Sequence, residues 1–433
     1  MITALPVVIK TLLVFIMVLA LTKTRLHLST CLFAGAVMLG LWVGMAPAEL
    51  AGSLGFNLVH FDTIKLVLIV ALIMVMSRLM KESGQLDRIV SRFTALVRDT
   101  RTVGAAMPAL IGLLPMPGGA LFSAPMVDTA FSGASVSNEN KAVVNYWFRH
   151  IWEYWWPLYP GVILVVGLLQ VEIWHFMLVM LPLTGVSVLA GIIFLLRPMG
   201  RSMNIEIFPQ GTVRDNGSIW RFIREVMPII IVVGVIAAVA LITMAAGTVG
   251  INLKLPGGVA VLPGLAVALV WVAATNQIPR QNLWKVFTDR EIVPMVLLVV
   301  AIMLFKGVMT DSHAVSYIRT ELVSWQFPLI LVIMAIPFLA GVVTGIVIGF
   351  VGSAFPLVIP LFPAASGVEY LSYACLAYVF GFMGMMLSPV HLCFLVTKDY
   401  FSASLLRCYR PLLLPAVSML AFSWLYFLLL NRF

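Results

Sequence analysis

The sequence is dominated by long apolar stretches that alternate with short segments rich in lysine and arginine. A helix that crosses the hydrocarbon core of a bilayer needs about 20 mostly apolar residues. Of all residues, 62% are hydrophobic and 10% are charged, whereas soluble domains contain about 45–50% apolar and about 25% charged residues. This composition excludes a water-soluble enzyme and predicts an all-α polytopic membrane protein. We expect full crossings at 5–22, 28–46, 64–81, 143–170, 173–196, 226–247, 257–275, 292–309, 371–397 and 411–430.

Positive charge is distributed unevenly along this pattern, and the distribution predicts an orientation. With the N-terminus outside, 20 of the 27 lysines and arginines fall in or beside cytoplasmic segments. Cytoplasmic loops of membrane proteins carry such an excess, so the sequence predicts a multi-pass protein of the inner (cytoplasmic) membrane and no nucleic-acid partner. The cytoplasmic segments are 23–27, 78–101, 136–142, 197–225, 276–291 and 398–410. Within the second of them, 82–101 mixes charged and apolar residues and predicts an interfacial amphipathic helix.

Two further apolar segments, 103–135 and 328–363, are interrupted near their middles by glycine and proline. Each segment is too long for one crossing and too interrupted for two. Irregular backbone at membrane depth survives only where protein or water satisfies its polar groups. We therefore predict that each segment forms a re-entrant helical hairpin.

The two halves of the chain align with each other at a nearly constant displacement. The prolines and glycines that align are Pro108 with Pro337, Gly112 with Gly341, Pro125 with Pro356, and Pro157 with Pro389. Each half then holds five full crossings, and because five is odd, the second half must be inserted upside down. Inverted repeats with broken helices at the bilayer midplane are typical of secondary transporters. An ancestral duplication in a channel or scaffold is the alternative.

This alignment divides the chain into three regions. A first inverted repeat covers 1–196, a cytoplasmic linker covers 197–225, and a second inverted repeat covers 226–433. The two hairpins would then enter the membrane from opposite sides, the first from the cytoplasm and the second from outside.

Three motifs, at residues 114–125 (LPMPGGALFSAP), 145–157 (NYWFRHIWEYWWP) and 384–392 (GMMLSPVHL), resemble a family of uncharacterised integral membrane proteins. That family is similar to the ion-transporter superfamily of citrate, gluconate, dicarboxylate and arsenite carriers. The resemblance covers nearly the whole chain and implies an elevator-type carrier, as a homodimer, with substrate held between hairpin tips and broken helices. The Ser-Asn-Thr signature of the sodium-coupled dicarboxylate carriers is absent from both tips, so the resemblance does not imply sodium coupling.

Charged residues inside apolar stretches are costly, at roughly 2.5–3.5 kcal/mol each on insertion scales, and so indicate function. The richest cluster is Arg149, His150 and Glu153, just before Pro157. Arg149 and Glu153 are four residues apart and can neutralise each other on one helix face, which is a structural interpretation. In the functional interpretation, Arg149 binds an anion and Glu153 or His150 takes the coupling proton. Both interpretations remain open.

The predicted helix breaks and hairpin tips supply further candidates, because backbone N–H groups at a helix N-terminus bind anions. Close helix packing in lipid is the alternative explanation for the glycines. Asp128, on the returning arm of the first hairpin, is either a proton carrier or the partner of a nearby cation. The predicted coupling residues are Asp128 and Glu153. The predicted substrate-binding residues are Pro117, Gly118, Gly119, Ser123, Arg149, His150, Gly352, Ser353, Ser388 and His391.

Other classes of chemistry lack the expected patterns. The six histidines form no i,i+4 pair, so we predict no metal site, and the absence of a P-loop leaves no nucleotide cofactor. The four cysteines are scattered, which excludes a disulfide scaffold.

The sequence therefore favours a secondary active transporter that couples the movement of a small anion to protons, with an organic acid as the first candidate for that anion. Its expected partners are that anion, protons, the lipid bilayer and a second copy of the chain. A cation:proton antiporter or oxyanion exporter on the same scaffold is one alternative. A membrane-embedded enzyme that uses His150, Glu153 and His391 as acid–base groups is another, and a membrane subunit of a binding-protein-dependent carrier is a third.

Overall fold

A computed structural model gives the fold. The residues it describes are 5–94, 100–113, 119–132, 136–200, 218–251, 253, 258–279, 285–286, 292–363 and 367–432. Throughout these ranges, the regular secondary structure is helical and no strand occurs. The prediction of an all-α chain is therefore confirmed for the described residues.

The helices of the N-terminal half run as follows. They are α1 (Val7–Leu21), α2 (Leu28–Val43), α3 (Pro47–Val59), α4 (Phe61–Glu82), α5 (Gln85–Thr94), α6 (Thr100–Gly112), α7 (Ala120–Ala130), α8 (Asn138–Arg149), α9 (Pro160–Leu169) and α10 (Ile173–Ala190). A π-helical turn, Gly191–Leu196, extends α10 into a last helical turn, Arg197–Gly200.

The helices of the C-terminal half follow a similar series. They are α11 (Ser218–Thr248), α12 (Val261–Thr275), α13 (Ile292–Asp311), α14 (Ala314–Ser324), α15 (Leu329–Thr344), α16 (Val347–Val358), α17 (Val368–Met386), α18 (Leu392–Tyr400) and α19 (Leu405–Leu430). A 3₁₀ turn, Ile359–Leu361, closes α16.

Several helices have the length and apolarity that a membrane crossing requires. Among the described residues these are Phe61–Glu82, Ile173–Met199, Ile219–Thr248, Ile292–Asp311, Val368–Met386 and Leu405–Leu430. Shorter apolar helices accompany them, including α1, α2 and α12. This arrangement is consistent with a polytopic membrane protein, although fewer helices reach full length than the ten predicted.

Two of the predicted crossings are broken in the structure. The predicted crossing 143–170 separates into α8 and α9, and the predicted crossing 371–397 separates into α17 and α18. Proline lacks a backbone N–H and kinks or breaks a helix, and Pro157 and Pro389 lie in the two breaks. Both breaks contain the predicted proline, but the first begins already at His150, so Arg149 and Glu153 do not share one helix face as predicted.

The two predicted hairpins are pairs of packed helices. In the first, α6 packs on α7, while residues 114–118 of its tip lie outside the described residues. In the second, α15 and α16 are joined by only Gly345 and Ile346. Gly345 has φ of 65°, a left-handed conformation that glycine adopts without steric cost. This turn is what allows α16 to begin directly beside the end of α15.

Among the described residues, α14 was not predicted from the sequence, and neither was α3. Pro47 occupies its first turn, and the carboxylate of Glu49 accepts a hydrogen bond from the backbone N–H of Ala46 at 3.0 Å. The helix packs against α13. The segment 82–101, in contrast, holds a helix as predicted, because α5 lies within it.

Helix starts recur at the displacements at which the two halves of the sequence align. The helices α5 and α6 precede α14 and α15, respectively, by the same number of residues that separates Pro108 from Pro337. The helices α9 and α10 precede α18 and α19 by the same number that separates Pro157 from Pro389. The internal similarity of the sequence therefore has a counterpart in the order of the helices.

The helices form two packed groups. In the core group, consisting of α6–α9 and α15–α18, each hairpin packs on a broken span, and α18 also contacts α7 and α8. In the flanking group, consisting of α1–α4 and α11–α13, α13 packs on α2, α3 and α4. The groups meet where Gly167 faces Leu66 and Gly352 faces Ile302. A Cβ on Gly167 would lie 2.6 Å from the Leu66 side chain, and a Cβ on Gly352 would lie 2.3 Å from the Ile302 side chain.

Candidate functional site

The first break, at the end of α8, carries a cluster of buried charged groups. Arg149 is the last residue of α8 and only 2% exposed, and His150 and Glu153 follow it in the break, both also buried. The Arg149 guanidinium lies 3.7 Å from the Glu153 carboxylate, and the Nε2 atom of His150 lies 3.8 Å from the same oxygen. Glu153 is therefore shared between a cation and an imidazole.

The second break brings a histidine and a cysteine to the same place. His391 immediately precedes α18, and Cys393 lies in its first turn. The ring of His391 lies 5.1 Å from the ring of His150, measured between centroids, and both rings pack edge-on against Tyr146. The two broken spans therefore meet through their side chains.

A cavity of about 200 Å³ lies between these groups. Three helices begin at its wall: α9 at Pro160, α16 at Val347 and α18 at Leu392. The N-terminus of a helix carries a partial positive charge and N–H groups without helical partners. With the Arg149 guanidinium also on the wall, the cavity combines several sources of positive potential.

Both helix groups contribute to this cavity. Met74 of α4 and Met295 of α13 belong to the flanking group, and the other lining residues belong to the core group or to its breaks. The second hairpin reaches the cavity through its tip, Gly345 and Ile346. The cavity therefore lies at the junction of the two groups.

The first hairpin fixes the break that carries the charges. The indole N–H groups of Trp152 and Trp156 donate to the backbone carbonyls of Ala109 and Leu113, at 2.8 and 3.0 Å. A Cβ on Gly112 would lie only 2.1 Å from the carbonyl oxygen of Arg149. This close approach and the two indole hydrogen bonds hold the end of α8 against α6.

The second hairpin holds the second break in a similar way. The hydroxyl of Ser388 donates to the carbonyl of Val342 at 2.6 Å. A Cβ on Gly341 would lie 2.1 Å from the carbonyl oxygen of Gly381. Gly341 aligns with Gly112 in the two halves of the sequence, and each of these glycines lies against a backbone carbonyl of a broken span.

Two tyrosines join one broken span to the other. The hydroxyl of Tyr146 donates to the carbonyl of Met386 at 3.0 Å, and the hydroxyl of Tyr378 donates to the carbonyl of Glu153 at 2.7 Å. Each donor comes from a helix of one half, and each acceptor comes from the other half. Both tyrosines are fully buried, so each hydrogen bond satisfies a carbonyl that water does not reach.

The structure brings together four of the residues that the sequence predicted. Arg149, His150, Glu153 and His391 all line the cavity. The other lining residues were not predicted as site residues, and two of them, Cys393 and Tyr159, carry polar or reactive side chains. Cys393 follows His391 by two residues, a spacing that could have indicated it, and Tyr159 directly precedes Pro160.

The predicted donors Ser123, Ser353, Ser388 and Gly352 are not among the residues that line this cavity. The hydroxyls of Ser123, Ser353 and Ser388 donate to the backbone carbonyls of Ala120, Gly349 and Val342, respectively. Gly352 faces Ile302, as expected from the packing interpretation of the glycines.

The remaining predicted residues belong to the first hairpin. Pro117 and Gly118 lie outside the described residues, and Gly119 precedes the first turn of α7. The carboxylate of Asp128 pairs with the ammonium of Lys141 at 2.7 Å, with its side chain 49% exposed. Asp128 is therefore the partner of a cation, which is one of its two predicted roles.

One group of residues has the donor atoms that a metal ion requires. His150, His391 and Cys393 each offer one ligand atom, and these atoms lie within 4.8 Å of one another. The expectation of no metal site rested on the spacing of histidines along the chain. The spacing of histidines along the sequence could not reveal this group, because its members come from both halves of the molecule.

The helical architecture of the described residues, with several long apolar helices, is consistent with a polytopic membrane protein. Residues 6–430 match the family described as Protein of unknown function (DUF401). The chain belongs to that family. A comparison with curated proteins found no match, and the likeness to citrate and related carriers stays a prediction.

Proposed function

We propose that the protein is a secondary active transporter that moves a small anion, an organic acid, together with protons. The observation that carries this proposal is the placement of Arg149, which is 2% exposed and lies on the wall of the cavity between the two helix breaks. A buried guanidinium is costly in a membrane, and its fork of donors matches a carboxylate. A carboxylate substrate would fit that fork of donors.

The surroundings of Arg149 favour an anion over a cation. The N-termini of α9, α16 and α18 add positive potential to the same cavity, and their free N–H groups can donate to an anionic ligand. Broken helices that point their N-termini at an anionic substrate are a known arrangement in secondary transporters. The volume of about 200 Å³ restricts the ligand to a small molecule.

Glu153 is the proposed coupling residue. Its carboxylate lies 3.7 Å from the Arg149 guanidinium, so an anion that binds Arg149 competes with Glu153 for the same cation. The displaced carboxylate would be a buried charge with a weakened partner, which is strongly unfavourable. A proton taken up by Glu153 removes that charge, and this exchange would couple proton uptake to anion binding.

We also propose that the two halves are inverted repeats and that the core group moves as an elevator against the flanking group. The recurrence of helix starts at the displacements of the sequence alignment supports the repeat, as do the matching contacts of Gly112 and Gly341. The position of the cavity, between the two helix groups, supports the elevator. In this proposal the protein is a homodimer of the cytoplasmic membrane with its N-terminus outside.

Uptake by proteoliposomes tests the proposed function. We expect a pH gradient to drive uptake of one or more small carboxylates from a panel of mono-, di- and tricarboxylates, inorganic anions and cations. A protonophore should abolish this uptake.

Three variants make the test specific to the cavity. Arg149→Ala should abolish uptake, and Arg149→Lys should reduce it because an ammonium cannot donate as a fork. Lys10→Ala is the matched control, since Lys10 is also a buried cation of an apolar helix, but in α1 and away from the cavity lining. Uptake of cations alone, or uptake that Arg149→Ala leaves unchanged, would contradict the proposal.

A further inference from the structure

The wall of the cavity contains a cluster of metal-ligand side chains that anion binding does not require. His150, His391 and Cys393 are all buried. One nitrogen of each imidazole and the sulfur of Cys393 lie within 4.8 Å of one another. Zinc binds imidazole nitrogen at about 2.0–2.1 Å and thiolate sulfur at about 2.3 Å, so its tetrahedral ligands lie roughly 3.5 Å apart. Movements of about an ångström would bring these three atoms to that spacing.

The hydrogen bonding of His150 prepares its ring for such a role. The Nδ1 atom of His150 lies 2.6 Å from the carbonyl oxygen of Tyr146. A carbonyl can only accept, so Nδ1 carries the proton and Nε2 of a neutral ring presents a lone pair. A bond from the second ring nitrogen to a carbonyl is the usual way in which proteins orient a metal-bound histidine.

His391 gives an independent indication of a ligand. Neither of its ring nitrogens has a hydrogen-bond partner of acceptable geometry among the described residues, although the side chain is only 5% exposed and the backbone of Gly345 lies beside it. A buried polar group without a partner costs roughly 1–3 kcal/mol. A metal ion at Nδ1 or Nε2 would remove that cost.

The charged neighbours are compatible with a bound cation. Arg149 and Cys393 both line the cavity, and the thiolate is the form of cysteine that binds metals. Glu153, 3.8 Å from Nε2 of His150, adds a negative charge that offsets the charge of the guanidinium. The thiolate and this carboxylate together therefore balance most of the positive charge that Arg149 and a divalent ion would bring.

We propose that His150, His391 and Cys393 bind a divalent transition-metal ion of the zinc type. Two imidazoles and one thiolate are a donor set that zinc accepts, and three protein ligands leave a fourth position for water or for an oxygen of another ligand. On binding, Cys393 releases its thiol proton to the solvent. The site is distinct from the transport proposal, because the metal either binds or fails to bind whether or not the protein moves an anion.

Metal titration of the purified full-length chain in detergent tests the site. The affinity tag is removed, the protein is treated with chelator, and Co²⁺ is added as a spectroscopic substitute for Zn²⁺. We expect one equivalent of Co²⁺ to bind, with a thiolate-to-cobalt charge-transfer band that Zn²⁺ displaces. Cys393→Ser should eliminate the band, and both Cys393→Ser and His391→Ala should weaken binding at least about tenfold.

Cys375→Ser is the matched control, because Cys375 is also a buried cysteine of the core group but is outside the metal-ligand cluster. This variant should keep both the band and the affinity. Protection of Cys393 from alkylation by Zn²⁺ in the wild-type protein provides a second readout if a variant fails to fold. Wild-type protein that binds less than one equivalent, a band that survives Cys393→Ser, or alkylation that Zn²⁺ does not slow would overturn the inference.

The metal and transport proposals fail in different experiments. The titration uses neither a gradient nor an organic anion, whereas the uptake assay is run with and without chelator. Uptake without metal binding would overturn only the metal site, and metal binding without uptake would overturn only the transporter.

Discussion

Neutralising the Arg149–Glu153 pair one residue at a time, and then both together, separates its structural role from its functional one. At 3.7 Å, two unit charges attract each other by about 4 kcal/mol if the effective dielectric constant is about 20. Removing one partner of a buried pair leaves the other charge without compensation and costs about 3–5 kcal/mol. We therefore expect Arg149→Met and Glu153→Gln each to lower the free energy of unfolding by about that amount.

The double variant has a different expected stability. With both charges removed, no uncompensated charge remains, and replacing a buried ion pair by neutral groups is often close to neutral. The double variant should therefore be more stable than either single variant, and its cost should lie well below the sum of the two single costs. Reversible unfolding in mixed detergent micelles measures all four proteins of this cycle.

Uptake measured on the same four proteins gives the functional half of the experiment. If Arg149 binds the anion, the double variant should regain stability without regaining uptake. A double variant that recovers both properties would show that the pair serves only the insertion and folding of its helix. Single variants that cost less than about 1 kcal/mol, the range of exposed pairs, would refute the reasoning about burial.

Three further predictions concern the packing around the site. Gly112→Ala should destabilise the protein by several kcal/mol and reduce uptake, because its Cβ would lie 2.1 Å from the carbonyl oxygen of the last residue of α8. The control Gly185→Ala, with no atom within 4 Å of its Cβ, should stabilise α10 by up to about 1 kcal/mol. Thermal unfolding compares the two variants, and equal effects on stability would contradict the close contact at Gly112. Tyr146→Phe and Tyr378→Phe should each cost about 1–3 kcal/mol in the same assay, because each leaves a buried carbonyl without its donor, and a cost confined to one of the two would argue against equivalent roles. Asp128→Asn should lower the free energy of unfolding by less than about 1 kcal/mol, since the carboxylate of its ion pair is half-exposed, and proton-driven uptake should persist. Loss of uptake with the fold intact would indicate that Asp128 takes part in proton coupling.

The helix breaks were predictable because their causes are local. Proline removes a helical hydrogen bond and therefore kinks or breaks a helix, and glycine permits the left-handed turn at Gly345. The sequence shows these residues directly. It did not reveal α3, because its 13 residues are too few and too polar to form an apolar stretch of membrane-spanning length.

The site was only partly predictable because it is assembled from both halves of the chain. A charge inside an apolar stretch, such as Arg149, indicates a site by its cost. The group of His150, His391 and Cys393 depends on how the two broken spans pack, which no local pattern encodes.

The serines illustrate a different limit. A hydroxyl inside a helix readily bonds a carbonyl three or four residues earlier, as Ser353 does to Gly349 at 2.7 Å. A hydroxyl near a hairpin tip can therefore have a backbone partner without a ligand, and the predicted ligand contacts of these serines stay predictions.

The paired tyrosine hydrogen bonds restrict how a ligand could gain access to either side of the membrane. A rocker-switch motion would tilt one half of the molecule away from the other and open the seam between the broken spans. Tyr146 and Tyr378 bridge that seam in both directions, so such a tilt would have to break two buried bonds in each cycle. Displacement of both broken spans as one rigid body leaves the two hydrogen bonds intact. Solvent access to the cavity would then change only along the boundary with α4 and α13.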